Sequence, residues 1–227
     1  DKKKDESSLF QCIMEMKDTD REVLIQLANK EVRWFHVVMK VVYDMDRPVY
    51  AIGRAVDIQE EKTERENLEK KSMMDALTSV YNTAAFKKKI QLELVRDKGM
   101  YAFGVLDIDY FKEVNDEFGH FIGDQVLIHC ADVMQKAFGE KALIGRLGGD
   151  EFAVFLMAPQ DEKAVVNGCA RLQKALQTTI EGLPNITLSM GFVMTKDVCD
   201  YNILYQKADK VLYEVKAAGR NAYFIKS

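Results

Sequence analysis

The hydrophobic and polar positions change rhythm several times along the chain, and each rhythm predicts a different element. Val23 to Ala28, Val32 to Tyr43 and Pro48 to Asp57 are strand-like runs, and Asp44-Met-Asp-Arg-Pro48 supplies turn residues between the last two. Ahead of them, Ser7 and Ser8 are placed to cap a helix that carries Leu9, Phe10, Ile13, Met14 and Met16 at amphipathic spacing. Glu60 to Met74 contains neither Gly nor Pro, and its Glu–Lys and Glu–Arg neighbours at helical spacing predict a solvated helix. The apolar seam of that helix is thin: Ile58, Leu68, then Met73 or Met74.

Beyond the connector the apolar positions become denser. Ala84 to Asp97 predicts an amphipathic helix through Phe86, Ile90, Leu92 and Leu94, and Met100 to Asp107 predicts a buried central strand. Gly123 to Gly139 carries Val126, Leu127, Cys130, Val133, Met134 and Phe138 at helical spacing. Ala142 to Leu147 and Phe152 to Met157 are two short apolar strands, followed by a helix over Ala164 to Ile180. A strand over Asn185 to Met194, with Met190 and Met194 as core fillers, and a helix over Tyr201 to Ala218 complete the pattern.

Composition narrows the function classes. With 227 residues, the chain has room for one large domain or a small one beside a standard one. Apolar residues make up 48% and charged residues 30%, a soluble globular balance, and a net charge of −4 gives no general attraction for nucleic acid. Cys12, Cys130, Cys169 and Cys199 are scattered without a Cys-x-x-Cys pair, which suggests reduced thiols in a cytoplasmic protein. No stretch approaches the roughly 18 apolar residues of a membrane span. The chain starts without Met, so a piece of a longer protein is expected, with membrane attachment of the parent left open.

The candidate chemistry sits between the two short strands, at Gly148-Gly149-Asp150-Glu151-Phe152. The flanks make this the turn of a β-hairpin, where glycine frees the backbone and leaves no Cβ to block a ligand. Alone, the stretch reads equally well as a solvated turn. Adjacent carboxylates at a turn repel each other, an objection that a bound cation removes. The apolar run Tyr101 to Leu106 delivers a further carboxylate, Asp107, at its C-terminal end, and Asp107-Ile108-Asp109-Tyr110-Phe111-Lys112 leads on to Asn115 and Asp124. An oxygen-rich site of this kind suits Mg2+ or Mn2+, with phosphate oxygens completing the shell.

These two segments together resemble the GGDEF domains, the diguanylate cyclases that join two GTP into cyclic di-GMP, and the resemblance runs from about Met74 to Lys226. The opening Asp75-Ala-Leu77-Thr78-Ser79-Val80-Tyr-Asn82-Thr83 follows the family's Asp-x-Leu-Thr-Gly-Leu-x-Asn-Arg, with Ser79 for the usual Gly and Thr83 for the usual Arg. The closing run is intact as Ala208-Asp209, Leu212-Tyr213, Lys216 and Gly219-Arg220-Asn221. The resemblance implies an α+β fold like that of the class III nucleotidyl cyclases, a mostly antiparallel central sheet flanked by helices. It assigns Asp107, the Ile108 carbonyl and Asp150 to the metals, two Mg2+ or Mn2+ per site with GTP. Glu151 is a further metal ligand or the acceptor of the 3′-OH proton. It also implies that Asn115 and Asp124 read guanine, and that the backbone at Tyr110 and Phe111, with Lys112 and Gly149, lines the phosphates. Lys216 and Arg220, four residues apart on one helical turn, are then expected on the same triphosphate. His120 is expected to support its loop rather than transfer protons.

Residues Val32 to Lys40 and Ala51 to Gln59 resemble the C-terminal half of a PAS domain. The expected organisation is a partial PAS domain over 1–58, a signalling helix over 59–74 and a GGDEF domain over 75–227. In that partial domain Trp34 is expected in a hairpin core or interface and His36 as a plain strand residue. The expected partners are GTP and a second copy of the chain, paired through the linker helix and the PAS part, with no nucleic acid and no membrane within this chain. The competing function is a catalytically silent domain that binds GTP or cyclic di-GMP for regulation. Many family members carry an Arg-x-x-Asp product-binding motif before the signature hairpin. Gly139 and Ala142 occupy those positions here, and Arg146 reads as a surface or dimer contact.

Overall fold

A computed structural model describes residues 17–96, 99–157, 159, 162–177, 182–196 and 200–227. The chain divides into two compact units, residues 1–71 and 72–227. The helix expected after Ser7 lies outside the described residues.

The first unit is an antiparallel sheet of β1 (Thr19–Gln26), β2 (Val32–Asp44) and β3 (Arg47–Asp57), in that order. Val23, Val37 and Met39 are its buried apolar residues, and their ladder partners Phe35, Arg21 and Thr19 place them on one face. Met45 and Asp46 both take positive φ (45° and 67°) between paired Asp44 and Arg47, the two-residue turn that suits the twist of a hairpin. His36 is indeed a strand residue, with Nε2 2.7 Å from Asp20 Oδ1. Trp34 is half-buried, and Lys62 Nζ lies 5.2 Å from its ring centroid. The next helix, α1 (Gln59–Met73), buries no residue, as its thin seam predicted.

The second unit is built around β5. Its sheet runs in the order β4-β6-β7-β5-β8-β9, from β4 (Tyr81–Asn82), β5 (Tyr101–Ile108), β6 (Ala142–Gly148), β7 (Glu151–Met157), β8 (Leu188–Thr195) and β9 (Tyr223–Lys226). β5 pairs antiparallel with both β7 and β8, while the short outer strands β4 and β9 join in parallel. Every residue of β5 is buried, because both of its faces are covered. Ala102, Leu106 and Ile108 face one core together with α4 (His120–Phe138) and α5 (Glu162–Leu176). Tyr101, Phe103 and Val105 face the other with α2 (Thr83–Arg96) and α6 (Tyr201–Ala217). Tyr101 stacks on Phe155, and Phe103 meets Tyr201 edge-on, with centroids 5.6 and 5.7 Å apart.

The layers therefore form a helix–sheet–helix sandwich, and everything at the C-terminal end of β5 lies at one rim. A short α3 (Phe111–Phe118) follows β5 there. The two outer strands lie beyond what periodicity predicts: two and four residues are too short for it. Among the described residues no helix is long and apolar enough to cross a membrane.

Helix α6 reaches that rim because it lies unusually close to β8. A Cβ at Gly191 would collide with the backbone N of Leu212 and the carbonyl oxygen of Ala208, atoms that no rotamer change can move. Gly191→Ala should therefore cost about 2 kcal/mol, a fall in melting temperature of roughly 4–8 °C for a domain of this size. Thermal unfolding followed by circular dichroism checks this. A melting temperature equal to that of the parent would show that the helix does not need the close approach.

Candidate active site

At the rim, Asp107 and Glu151 are cross-strand partners, and Gly149-Asp150 form the turn of the β6–β7 hairpin between them. Gly149 adopts φ 51°, which glycine takes without strain. Asp107 is buried, while Asp150 and Glu151 are half-buried. The Ile108 N–H points at the Asp150 carbonyl oxygen at 3.4 Å, so the turn leans against the end of β5.

Three carboxylates this close disturb one another. Burial raises the Asp107 carboxyl above its ordinary range, against the opposing pull of Lys216, and Asp150 and Asp109 raise it further. Burial also raises the Glu151 carboxyl, with Asp107 as the next cause. The oxygen-only donor set fits a hard divalent cation, whose charge would relieve the repulsion. Among the described residues, no three His, Cys, Asp or Glu side chains already converge on one ion position.

Lys216 and Arg220 depart from expectation. α6 ends at Ala217, Gly219 takes φ 115°, and Arg220 lies past the helix end in a left-handed conformation (φ 66°). The two side chains thus do not share a helical turn. Lys216 Nζ sits 2.8 Å from Asp107 Oδ2, whereas the Arg220 guanidinium lies over the Tyr110 ring, 4.9 Å from its centroid. Tyr110 itself has φ 58° and precedes α3 without any side-chain cap, so no capping side chain takes up the N–H groups at the start of that helix, where Lys112 is exposed and Phe111 half-buried.

Asn115 and Asp124 are brought together at the corner between α3 and α4. A Cβ at Gly123 would collide with Asn115 Oδ1, so the carboxamide lies against the backbone one residue before exposed Asp124. His120 is the exposed first residue of α4.

Two further groups hold the rim in roles that the sequence did not reveal. Asp109 is 4% exposed, and its carboxylate accepts from Thr187 Oγ1 and Ser189 Oγ, both at 2.6 Å, and from the Asn221 N–H at 3.1 Å. The matching i, i+2 spacing of Asp107 and Asp109, and of Thr187 and Ser189, is the signal that was available. Arg146 is not a surface contact. Its Nε and Nη2 donate to the Gly149 carbonyl oxygen at 3.0 and 2.8 Å, and Nη1 donates to Asp75 Oδ1 at 3.1 Å. Asp75 also accepts from the Thr78 N–H and hydroxyl, so one acid–base pair ties the signature turn to the start of the unit.

The profile described as "Diguanylate cyclase, GGDEF domain" matches residues 72–222. The chain belongs to the GGDEF family. Over 167 residues it is 34% identical to the diguanylate cyclase DgcP of Pseudomonas aeruginosa, covering 69% of this chain and 24% of that protein. It is 31% identical to the diguanylate cyclase DgcS of Shewanella oneidensis over 156 residues, covering 67% and 52% respectively. The chain thus spans between a quarter and about half the length of these relatives. Among solved structures, the coiled coil and GGDEF domain of DgcB from Caulobacter crescentus in complex with c-di-GMP superposes with a TM-score of 0.64 at 28% identity, covering 74% of this chain and 93% of that one. Diguanylate cyclase SiaD from Pseudomonas aeruginosa, in complex with its activator SiaC, gives 0.66 at 28% identity, covering 74% and 66%. These likenesses bear out the α+β fold of the GGDEF unit.

Three of the departures from the family's motifs have a local reading. Thr83 donates its hydroxyl to the Leu147 carbonyl oxygen at 2.9 Å, a contact within the unit. Gly139 ends α4 with φ 78°, its N–H bonding the Gln135 carbonyl oxygen. Ser79 keeps the turn of the opening motif, donating its N–H to the Asp75 carbonyl oxygen at 3.0 Å, but does so at φ 57°. A side chain in that region is disfavoured by roughly 1–2 kcal/mol, whereas glycine is not. Ser79→Gly should accordingly raise stability by about 0.5–1 kcal/mol once the greater freedom of the unfolded glycine is counted. Urea denaturation measures this, and an unchanged or lowered midpoint at constant slope would count against strain at Ser79.

Proposed function

We propose that the protein is a diguanylate cyclase that condenses two GTP into cyclic di-GMP, releasing two pyrophosphates, across two copies of the chain. The observation that carries this reading is the rim itself: Asp107 paired with Glu151 across the ladder, beside the Gly149-Asp150 turn, in a chain of the GGDEF family. Each copy binds one GTP. Asn115 and Asp124 take the guanine, the amide donating to O6 or N3 and the carboxylate accepting from N1–H and N2–H. The first N–H groups of α3, with Gly149, Lys112, Lys216 and Arg220, take the triphosphate.

Asp107, the Ile108 carbonyl and Asp150 would hold two divalent cations, Mg2+ or Mn2+. When bound, such cations neutralise the triphosphate and favour the alkoxide form of the attacking hydroxyl. The chain's own contribution is alignment. Two half-sites face each other so that each ribose 3′-OH attacks the α-phosphate held opposite, an O–P bond forming as the bond to pyrophosphate breaks. Glu151 is a further ligand or receives the 3′-OH proton.

The first unit and α1 are, in the same proposal, a PAS remnant (residues 1–58) and a signalling helix (59–74) that pairs with its twin, ahead of a GGDEF domain over 75–227. An α1 with no buried residue and with Leu68 60% exposed supports a helix whose seam awaits a partner. The first-unit sheet supports pairing in the same way, for all of β3 is exposed.

Purified protein incubated with GTP and Mg2+ should form cyclic di-GMP, with specific activity rising as protein concentration rises. Asp150→Asn and Asp107→Asn should each lower turnover by about a hundredfold or more while the circular dichroism spectrum is kept. No product at any protein concentration, or an active Asp107→Asn variant, would overturn the proposal.

Product inhibition should be weak and relieved by GTP. The cavity of about 290 Å3 beside Gly139 and Ala142 is lined also by Met74, Tyr81, Gln135 and Glu140, and none of its lining residues is a cation that could hold a phosphate. Initial rates at graded cyclic di-GMP should fit competition at the substrate site. Non-competitive inhibition at low product would mean that a separate product site exists.

A further inference from the structure

The rim contains a cation already, and the chain supplies it. Lys216 projects from the last turn of α6 and places its ammonium 2.8 Å from Asp107 Oδ2. It offsets one of the three carboxylate charges of Asp107, Asp150 and Glu151. The other basic group of the closing motif is held differently: Arg220 is stacked over Tyr110, and its neighbour Asn221 is anchored to Asp109. Arg220 is therefore a standing cation, and Lys216, a compact charge on a flexible four-carbon stem, is the one free to move.

We infer that Lys216 is an internal counter-cation that competes with the divalent ion for Asp107 and is drawn off by the triphosphate, so that ion and nucleotide bind cooperatively. The inference rests on the proposed nucleotide site and concerns its order of filling. The physical argument is a difference of affinities. In the free site, an incoming divalent ion must displace an ammonium from a buried carboxylate, which weakens its binding. A triphosphate offers Lys216 a richer set of oxygens, so the ammonium leaves Asp107 and the competition ends. By linkage, whatever the nucleotide adds to ion affinity the ion adds to nucleotide affinity.

The test uses the full chain and Mn2+ as its probe, with free Mn2+ followed by electron paramagnetic resonance. It is run with and without a GTP analogue whose α,β-bridging oxygen is replaced by methylene, so that no turnover intrudes. Lys216→Met keeps the stem and removes the charge, and Lys216→Gln is the second variant should the first fold poorly. The parent should bind Mn2+ weakly alone and much more tightly with the analogue. The variants should bind Mn2+ alone about tenfold more tightly than the parent, a factor that corresponds to about 1.4 kcal/mol, and should gain less from the analogue. Asp107→Asn should lose the Mn2+ site in either background. Equal Mn2+ affinity of parent and Lys216 variants without nucleotide would overturn the inference while leaving the nucleotide site standing. Absence of Mn2+ binding even with the analogue would overturn both.

Discussion

A buried carboxylate that must find hydrogen-bond donors sets the geometry of the rim. Asp109 lies one residue past β5, where water is excluded, and leaving its oxygens unpaired there would cost several kcal/mol. Its donors come from two places distant in sequence: Thr187 and Ser189 at the entry to β8, and the backbone of Asn221 after α6. Meeting that demand draws three chain segments to one point. Asp107 two residues back, Tyr110 one residue on, and Lys216 and Arg220 just before Asn221 are all positioned as consequences. Arg146 does the same for the other side of the rim, fixing the turn carbonyl at Gly149 against Asp75. Side chains with no assigned part in the chemistry thus decide where the reactive ones stand.

Much of this architecture was legible because periodicity and burial follow directly from residue order. The run from Tyr101 to Ile108 is apolar on both faces up to Leu106, and it is the strand covered on both faces. Val126, Leu127, Cys130, Val133 and Met134 are buried along α4 at the spacing that marked them. The Gly-Gly turn formed the hairpin its flanks required. What could not be read was the choice of partner. Periodicity marks no partner for Arg146, and only the folded closeness of Asp75 and the Gly149 carbonyl supplies one. The four-residue spacing of Lys216 and Arg220 suggested a shared helical turn, but the helix stops first, and Asp107 and Tyr110 claim one side chain each.

Ser79 and Gly139 show how family motifs and local backbone need can diverge. Ser79 takes the conformation for which glycine is the easy residue, so the turn survives at the expense of strain. At Gly139 the converse holds: the helix end uses positive φ, and an arginine there would have to adopt it. In the first unit, the second and third strands and the tight turn formed where expected. The first strand runs Thr19–Gln26 rather than Val23 to Ala28, because Leu27 and Lys30 close the following turn. Short alternating strands occur in many folds, however, so the pattern specifies a sheet more readily than a family.

Trp34 is the chain's single tryptophan, and it belongs to the first unit. Tyrosine and phenylalanine are the aromatic residues of the second unit, as in the stacked Tyr101–Phe155 pair. Red-edge fluorescence of this protein therefore reports the small sheet alone, with Lys62 near the indole as a local quencher sensitive to the packing of α1 against that sheet. Far-ultraviolet ellipticity is instead dominated by the helices of the larger unit. Two optical channels thus separate the melting of the two units in one unlabelled sample, a built-in way to ask whether what happens in one is felt by the other.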